Sequence, residues 1–255
     1  GLSTFGDLAR VVADPPVPII LKTPSAWPRQ RPAVTLRRVI QRLVIIPLHR
    51  VFVTNFRLRG LENLKNLRSP YLIIANHGSH VDTPSILRAL PTEERSKVAI
   101  AAAEDYFFSN RIHASLMALA LNIFPFSRRG NIRQSLEFCG YLADMGWSIL
   151  IYPEGTRATN EKKLEFKQGI GLLATGLGVP ILPIGVSGGA DILPKGRRVP
   201  KRGPVSVTIG EPIWVEPTTP PEQVTRELEI AVRRLQCDAI ARNHGQYHGR
   251  GNEVT

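Results

Sequence analysis

Acids are scarce at one end of this chain. From Lys22 to Arg68 a single one, Glu62, stands against eleven Lys or Arg, so this segment carries +10 of the net +12. A basic face this localised favours anionic partners: anionic lipid, nucleic acid or a phosphorylated substrate. Cysteine is nearly absent too. Cys139 and Cys237 lie far apart with no metal-ligand spacing, which excludes a disulfide framework and predicts reduced thiols, no metal site and a cytosolic setting. Long apolar runs are missing. The longest near the basic segment, Leu43 to Leu48, is far short of the roughly 18 residues a spanning helix needs. No apolar core with a cleavage pattern opens the chain, so no signal peptide is expected. Gly1 in place of Met fits a fragment of something longer.

What is present is a chain of 255 residues, 43% hydrophobic, enough for one sizeable core. Residues 1–14 read as a short helix with Leu8, Val11 and Val12 on one face, and 15–32 as a Pro-rich, basic linker. Together residues 1–26 form an N-terminal arm, or the tail of a preceding domain with its linker. Residues 27–243 are the main domain and 244–255 a flexible tail. Within the domain, 33–58 is amphipathic. Leu36, Val39, Ile40, Leu43 and Ile46 follow helical spacing, with Arg37, Arg38, Gln41 and Arg42 on another face and Pro47 set to break or kink the helix. Such a basic helix suits a membrane interface; the alternative is a helix covering the sheet with its basic face in water.

From residue 70 the pattern alternates. Strands are predicted at 70–75, 97–102, 148–152, 180–186 and 204–209, and helices at 82–90, 107–120, 131–145, 166–178 and 220–243. This predicts an α/β fold: a single domain with a largely parallel central sheet flanked by helices, preceded by the basic amphipathic helix.

Polar clusters follow the strands. Asn76-His77-Gly78-Ser79-His80-Val81-Asp82 comes after the buried-strand run Tyr71 to Ala75, at the sheet end where α/β proteins place ligands. An imidazole beside a carboxylate reads as a base and its orienter. The base is His77 or His80; an extended loop would put His80 and Asp82 on one face. Ser79 lacks the G-x-S-x-G elbow of a nucleophile. Tyr152-Pro153-Glu154-Gly155-Thr156-Arg157 follows the strand at 148–151. Gly155 permits a tight turn, and Arg157 offers a fork for phosphate. Lys167 adds a cation at a helix start, and Arg128 and Arg129 stand between another strand-like run and a helix.

These motifs resemble a family. Asn76-His77 with Asp82 is similar to the first motif of the glycerolipid acyltransferases, the family of 1-acyl-glycerol-3-phosphate acyltransferase. Phe126-Ser127-Arg128-Arg129 resembles their second motif. Tyr152 to Arg157 resembles the third, with Tyr where Phe is commoner, and Val179 to Ile184 the fourth. The order holds across about residues 55 to 215. The resemblance implies that His77 is the general base and Asp82 its orienter. It implies that Arg128 or Arg129, Arg157 and Lys167 hold a substrate phosphate, in a pocket formed with Glu154, Gly155 and Thr156. The implied reaction moves a fatty acyl group from acyl-CoA or acyl carrier protein, as co-substrate without further cofactor, to a phosphorylated lysolipid. Lysophosphatidic acid, giving phosphatidic acid, leads the acceptors. The run Thr4-Phe5-Gly6-Asp7-Leu8 resembles the close of an acyl-carrier-protein domain, so a fused or separate carrier is a further expectation. The expected place is peripheral, on the cytoplasmic face of an anionic membrane. Other lysolipid or glycolipid acceptors and thioester hydrolysis are the alternatives. A nucleic-acid module is disfavoured, since the basic arm has few interleaved aromatics.

Overall fold

Five apolar residues in a row make the centre of the sheet. Tyr71, Leu72, Ile73, Ile74 and Ala75 are all fully buried. Leu72 and Ile74 face one core layer, while Tyr71, Ile73 and Ala75 face the other. A strand covered on both sides must be apolar at every position, which is why this one does not alternate.

The computed structural model describes residues 25–108, 110–127, 132–157 and 165–244. Most of the N-terminal arm, the tail beyond residue 244, and Arg128 and Arg129 lie outside them. The first elements are α1 (Arg31–Ile40), a π turn (Gln41–Ile45), α2 (Ile46–Phe52) and β1 (Val53–Arg59). Then come β2 (Leu72–Ala75), α3 (Asp82–Ala89), α4 (Thr92–Arg95), β3 (Val98–Ala103), α5 (Glu104–Phe107), α6 (Arg111–Leu121) and β4 (Ile123–Phe126). The last are α7 (Ile132–Asp144), β5 (Ser148–Ile151), α8 (Gly169–Leu177), β6 (Ile181–Ser187), α9 (Gly189–Ile192), β7 (Gly203–Ile209) and α10 (Pro221–His244).

The seven strands are ordered β1-β7-β6-β2-β5-β3-β4. Strands β2 to β6 are parallel to their neighbours among themselves; β7 pairs antiparallel to β6, and β1 runs parallel to β7. The predicted α/β fold with a largely parallel sheet is the one found. β6, β2 and β5 are adjacent, so the segments leaving their C-terminal ends meet at one edge.

Two parts differ from the sequence pattern. The amphipathic helix stops at Phe52, and Val53–Arg59 is an edge strand rather than the end of a helix reaching 58. Its charges hide the strand from a periodicity search: Arg59 is exposed on the edge strand, while half-buried Arg57 donates to Arg242 O (2.8 Å) and Asn243 Oδ1 (3.1 Å) at the end of α10. The helix predicted over 107–120 is two, α5 and α6, with the Asn110 side chain capping α6 by accepting from the Ile112 and His113 N–H groups.

Pro47 does not break its helix. Its ring would meet the Leu43 carbonyl in a regular turn. The chain widens there instead, and the Ile46 N–H reaches the Gln41 carbonyl, five residues back.

The amphipathic helix is also turned around. Arg37 is only 1% exposed. Its guanidinium donates to the carbonyls of Leu119 (2.9 Å), Ala118 (3.2 Å) and Pro28, and Gln41 Nε2 donates to Ala120 O at 3.0 Å. Ala118, Leu119 and Ala120 are in the last turn of α6; the Asn122 N–H also bonds to the Ala118 carbonyl, while Leu119 and Ala120 are among the last carbonyls that a helix leaves open. A cation there also meets the negative end of the helix dipole. Arg37 and Gln41 therefore face inward, while Arg38 and Arg42 stay exposed and Leu36, Leu43 (67% exposed), Val44 and Leu48 face outward with them.

Arg37→Ala should cost about 3 kcal/mol, because several buried carbonyls lose a charged donor together. Urea unfolding of the two proteins measures it, and a loss below about 1 kcal/mol would mean that Arg37 does not anchor α1.

Candidate active site

The site starts where β2 ends. Asn76 clamps this end to β6: its Nδ2 donates to Val186 O at 2.9 Å, and its Oδ1 accepts from the Val186 N–H at 2.8 Å. The chain then turns into α3, with the Asp82 N–H bonded to Ser79 O at 3.1 Å. This brings the Asp82 carboxylate back over the turn. Oδ2 accepts from the backbone N–H of Gly78 (2.8 Å) and Ser79 (2.7 Å) and lies 3.2 Å from His77 Nδ1. Asp82 is 2% exposed and stands in the first turn of α3, where the helix dipole favours an anion.

Asp82 fixes the tautomer of His77. A carboxylate only accepts, so Nδ1 carries the proton and Nε2 keeps its lone pair. Nε2 has no partner among the described residues. The imidazole stacks on the Tyr152 ring, with centroids 4.1 Å apart and 19° between planes. Tyr152 is held in turn by its hydroxyl, 2.7 Å from Thr83 Oγ1. The tyrosine thus supports both the histidine and the helix carrying Asp82.

His80 is turned away. Its Nε2 is 3.3 Å from the Tyr106 hydroxyl, with no contact to Asp82. Burial, then Arg157 and His77, push its pKa down to about 4, so it stays neutral. Between the two histidines, His77 is the one that meets the carboxylate. The Ser79 hydroxyl donates to Leu193 O at 2.8 Å and is buried, which gives it a structural task.

Glu154 follows β5 and is 2% exposed. Its Oε1 is 3.4 Å from Arg233 Nη1 of α10. Burial raises its pKa to about 7, with Arg233 and the His77 backbone N–H pulling the other way. Gly155 takes a left-handed conformation, φ +68°, that opens the turn toward Arg157.

A cavity of about 2100 Å³ joins these groups. His77, Glu154, Gly155, Thr156, Arg157 and Lys167 all line it. Its apolar part is formed by Leu48 and Phe52 of α2, Met117 and Leu121 of α6, and Ile123 of β4. Phe126 and Ser127 are also in the wall, while the arginines after them lie outside the described residues. Among the described residues, no three His, Cys, Asp or Glu side chains gather as a metal would require.

A family model described as Acyltransferase matches residues 55–187. The chain belongs to this acyltransferase family. It is 27% identical over 166 residues to the chloroplastic 1-acyl-sn-glycerol-3-phosphate acyltransferase BAT2 of Brassica napus, covering 62% of this chain and 44% of that protein. It is 25% identical over 215 residues to human 1-acyl-sn-glycerol-3-phosphate acyltransferase alpha, covering 82% of this chain and 74% of that one. The chain spans about half the length of the Brassica napus, Arabidopsis thaliana and Chlamydomonas reinhardtii relatives it matches. The crystal structure of PlsC, the 1-acyl-sn-glycerophosphate acyltransferase of Thermotoga maritima, shares the fold: TM-score 0.63, 24% identity, 80% of this chain and 79% of that one.

Two residues of this candidate site escape a reading of the sequence. Gly189, in the short helix after β6, packs directly on Asp82. A Cβ there would lie 2.2 Å from Asp82 Oδ1 and 3.2 Å from Ser79 Cβ. Arg233, from the last helix, reaches Glu154. Neither has a local signal; each matters only because the fold brings α9 to the turn after β2 and α10 to the turn after β5.

Two outcomes follow. Gly189→Ala should lower the acyl-transfer rate by about 10²-fold or more, because small displacements of reacting groups carry costs of that size. Circular dichroism should be unchanged, and an unchanged rate would remove Gly189 from the support of Asp82. The second concerns pH. The Glu154 carboxyl has its pKa raised from 4.5 to about 7, so the folded state holds a proton that the unfolded chain has released. The stability this contributes is complete below about pH 4.5 and is lost as pH climbs through about 7, by at most ~3 kcal/mol. Urea unfolding at about pH 5 and about pH 8 should show Glu154→Gln losing less stability than wild type over that span.

Proposed function

We infer that the chain transfers a fatty acyl group from a thioester donor, acyl-CoA or acyl carrier protein, to the hydroxyl of a phosphorylated lysolipid. Lysophosphatidic acid, giving phosphatidic acid, is the acceptor the relatives' names support best. The observation that carries this reading is the cavity at His77. It puts an imidazole with a free Nε2 among the described residues, two phosphate-suited cations, Arg157 and Lys167, and a long apolar arm into one enclosure.

In this reading His77 Nε2 takes the acceptor's hydroxyl proton as its oxygen attacks the thioester carbonyl. Asp82 stabilises the imidazolium. The tetrahedral adduct collapses with cleavage of the C–S bond, and the proton passes from His77 to the departing thiolate. With a thiol pKa near ~8.5 this leaving group needs little acid help. Base assistance of this kind contributes typically about 10²–10⁴-fold. Arg157 and Lys167, together with Arg128 or Arg129, hold the acceptor's phosphate.

The outward-facing helix supports action at a membrane surface. Leu36, Leu43 and Leu48 are exposed beside the cations Arg38, Arg42 and Arg50 on the same helix, the pattern of an interfacial segment. Leu48 also lines the cavity, so an acyl chain can pass from lipid to the cavity wall over apolar surface. No helix among the described residues is long and apolar enough to cross a membrane.

A thiol-release assay with oleoyl-CoA or oleoyl-acyl carrier protein, with and without lysophosphatidic acid in vesicles, tests the reading. Release should depend on the lysolipid and fall about 10²–10⁴-fold in His77→Ala. Release that survives in a folded His77→Ala protein would rule out the mechanism, and release independent of acceptor would make the protein a thioester hydrolase.

A further inference from the structure

The connection between β6 and β7 carries cations that neither the base nor the acceptor's phosphate uses. Lys195, Arg197, Arg198, Lys201 and Arg202 fall within eight residues, and no acid occurs between Asp191 and Glu211. All five are exposed, and none is ion-paired to an acid among the described residues. Like charges this close repel one another, so a cluster left without counter-charges is set up for an external anion.

The loop is not loosely attached. The Ser79 hydroxyl holds its root through Leu193 O, and the Lys201 N–H closes back on Ile192 O at 2.8 Å. Gly196 turns it, with φ +92°. Lys195 and Pro200 form part of the cavity wall, and Lys195 Nζ reaches Thr156 Oγ1 at 3.5 Å. Arg197, Arg198, Lys201 and Arg202 do not line the cavity but flank Lys195 and Pro200 in the same loop and are exposed.

The geometry points to the phosphate of the acyl donor as the anion this loop receives. This inference rests on the function proposed above. An acceptor such as lysophosphatidic acid carries its phosphate on the carbon next to its reacting hydroxyl, so that phosphate must lie close to His77. A thioester donor is built differently. Its nearest phosphate is separated from the sulfur by the whole pantetheine arm. With the thioester at His77, that phosphate emerges at the mouth of the cavity, where the basic loop stands. Acyl-CoA and acyl carrier protein share this phosphopantetheine chemistry, and guanidinium groups suit it by their fork of donors.

The test compares donors with and without the phosphate. Oleoyl-CoA, oleoyl-acyl carrier protein and oleoyl-pantetheine are assayed with vesicle-borne lysophosphatidic acid, on wild type and on a variant with Arg197, Arg198, Lys201 and Arg202 changed to Ala. Wild type should prefer a phosphorylated donor over oleoyl-pantetheine by about tenfold or more in kcat/KM, and the variant should lose most of that preference. Whichever phosphorylated donor shows the larger loss is the source of the phosphate. A second measurement needs no mutation: raising salt from about 0.05 M to about 0.5 M should raise the wild-type KM for the phosphorylated donor and leave that for oleoyl-pantetheine unchanged. A wild type without preference overturns the proposal. So does a variant that keeps the preference but loses binding to phosphatidylglycerol vesicles, which would assign the loop to lipid headgroups. A wild type inert toward all three donors overturns the function itself, and is distinguishable because no turnover remains to compare.

Discussion

One buried carboxylate organises the site. Asp82 draws the backbone N–H groups of Gly78 and Ser79 and the imidazole of His77 onto a single oxygen. Burying a charge is costly unless its hydrogen bonds are met, and here they are met by the turn itself. The turn, the tautomer of His77 and the start of α3 are therefore one decision. The neighbouring strands conform to it. The segment after β6 supplies a glycine, Gly189, because no side chain fits against Asp82, and the turn after β5 supplies Tyr152 as a floor under the imidazole.

The first helix obeys a different constraint. A soluble helix normally keeps its charges in water. Here the open carbonyl end of α6 recruits Arg37 and Gln41, and the apolar stripe is left outside as a consequence. Its outward apolar surface is coupled to cation burial through one element, so neither can be altered alone without disturbing the other.

Much of this was legible in residue order. The uninterrupted Tyr71–Ala75 run announced a doubly covered strand, and the strand–helix alternation announced the sheet. The imidazole and carboxylate of the turn were legible as a pair; spacing left His77 and His80 open, and the family resemblance pointed to His77. An extended loop would favour His80, whereas the Ser79–Asp82 turn brings His77 to the carboxylate. The rest was hidden for physical reasons. Periodicity reports that a helix has two faces, not which one turns inward, and Arg37 is set by carbonyls 81 and 82 residues away. β1 was hidden by charges that an edge strand tolerates. Gly189 was hidden because a glycine after a strand looks like any turn until a carboxylate from a distant helix, Asp82 of α3, stands over it.

The antiparallel pairing of β6 with β7 has a consequence of its own. Parallel neighbours must be joined by a crossover that spans the sheet, so such a connection cannot change without moving a helix. Residues 188–202 join two strands that already lie side by side, and they do so on the edge where β2 and β5 end. Lengthening such a loop carries only a small entropic penalty. Around a site otherwise locked by its sheet, this hairpin is the segment that evolution or an engineer can exchange between relatives, carrying a different recognition surface to the same base.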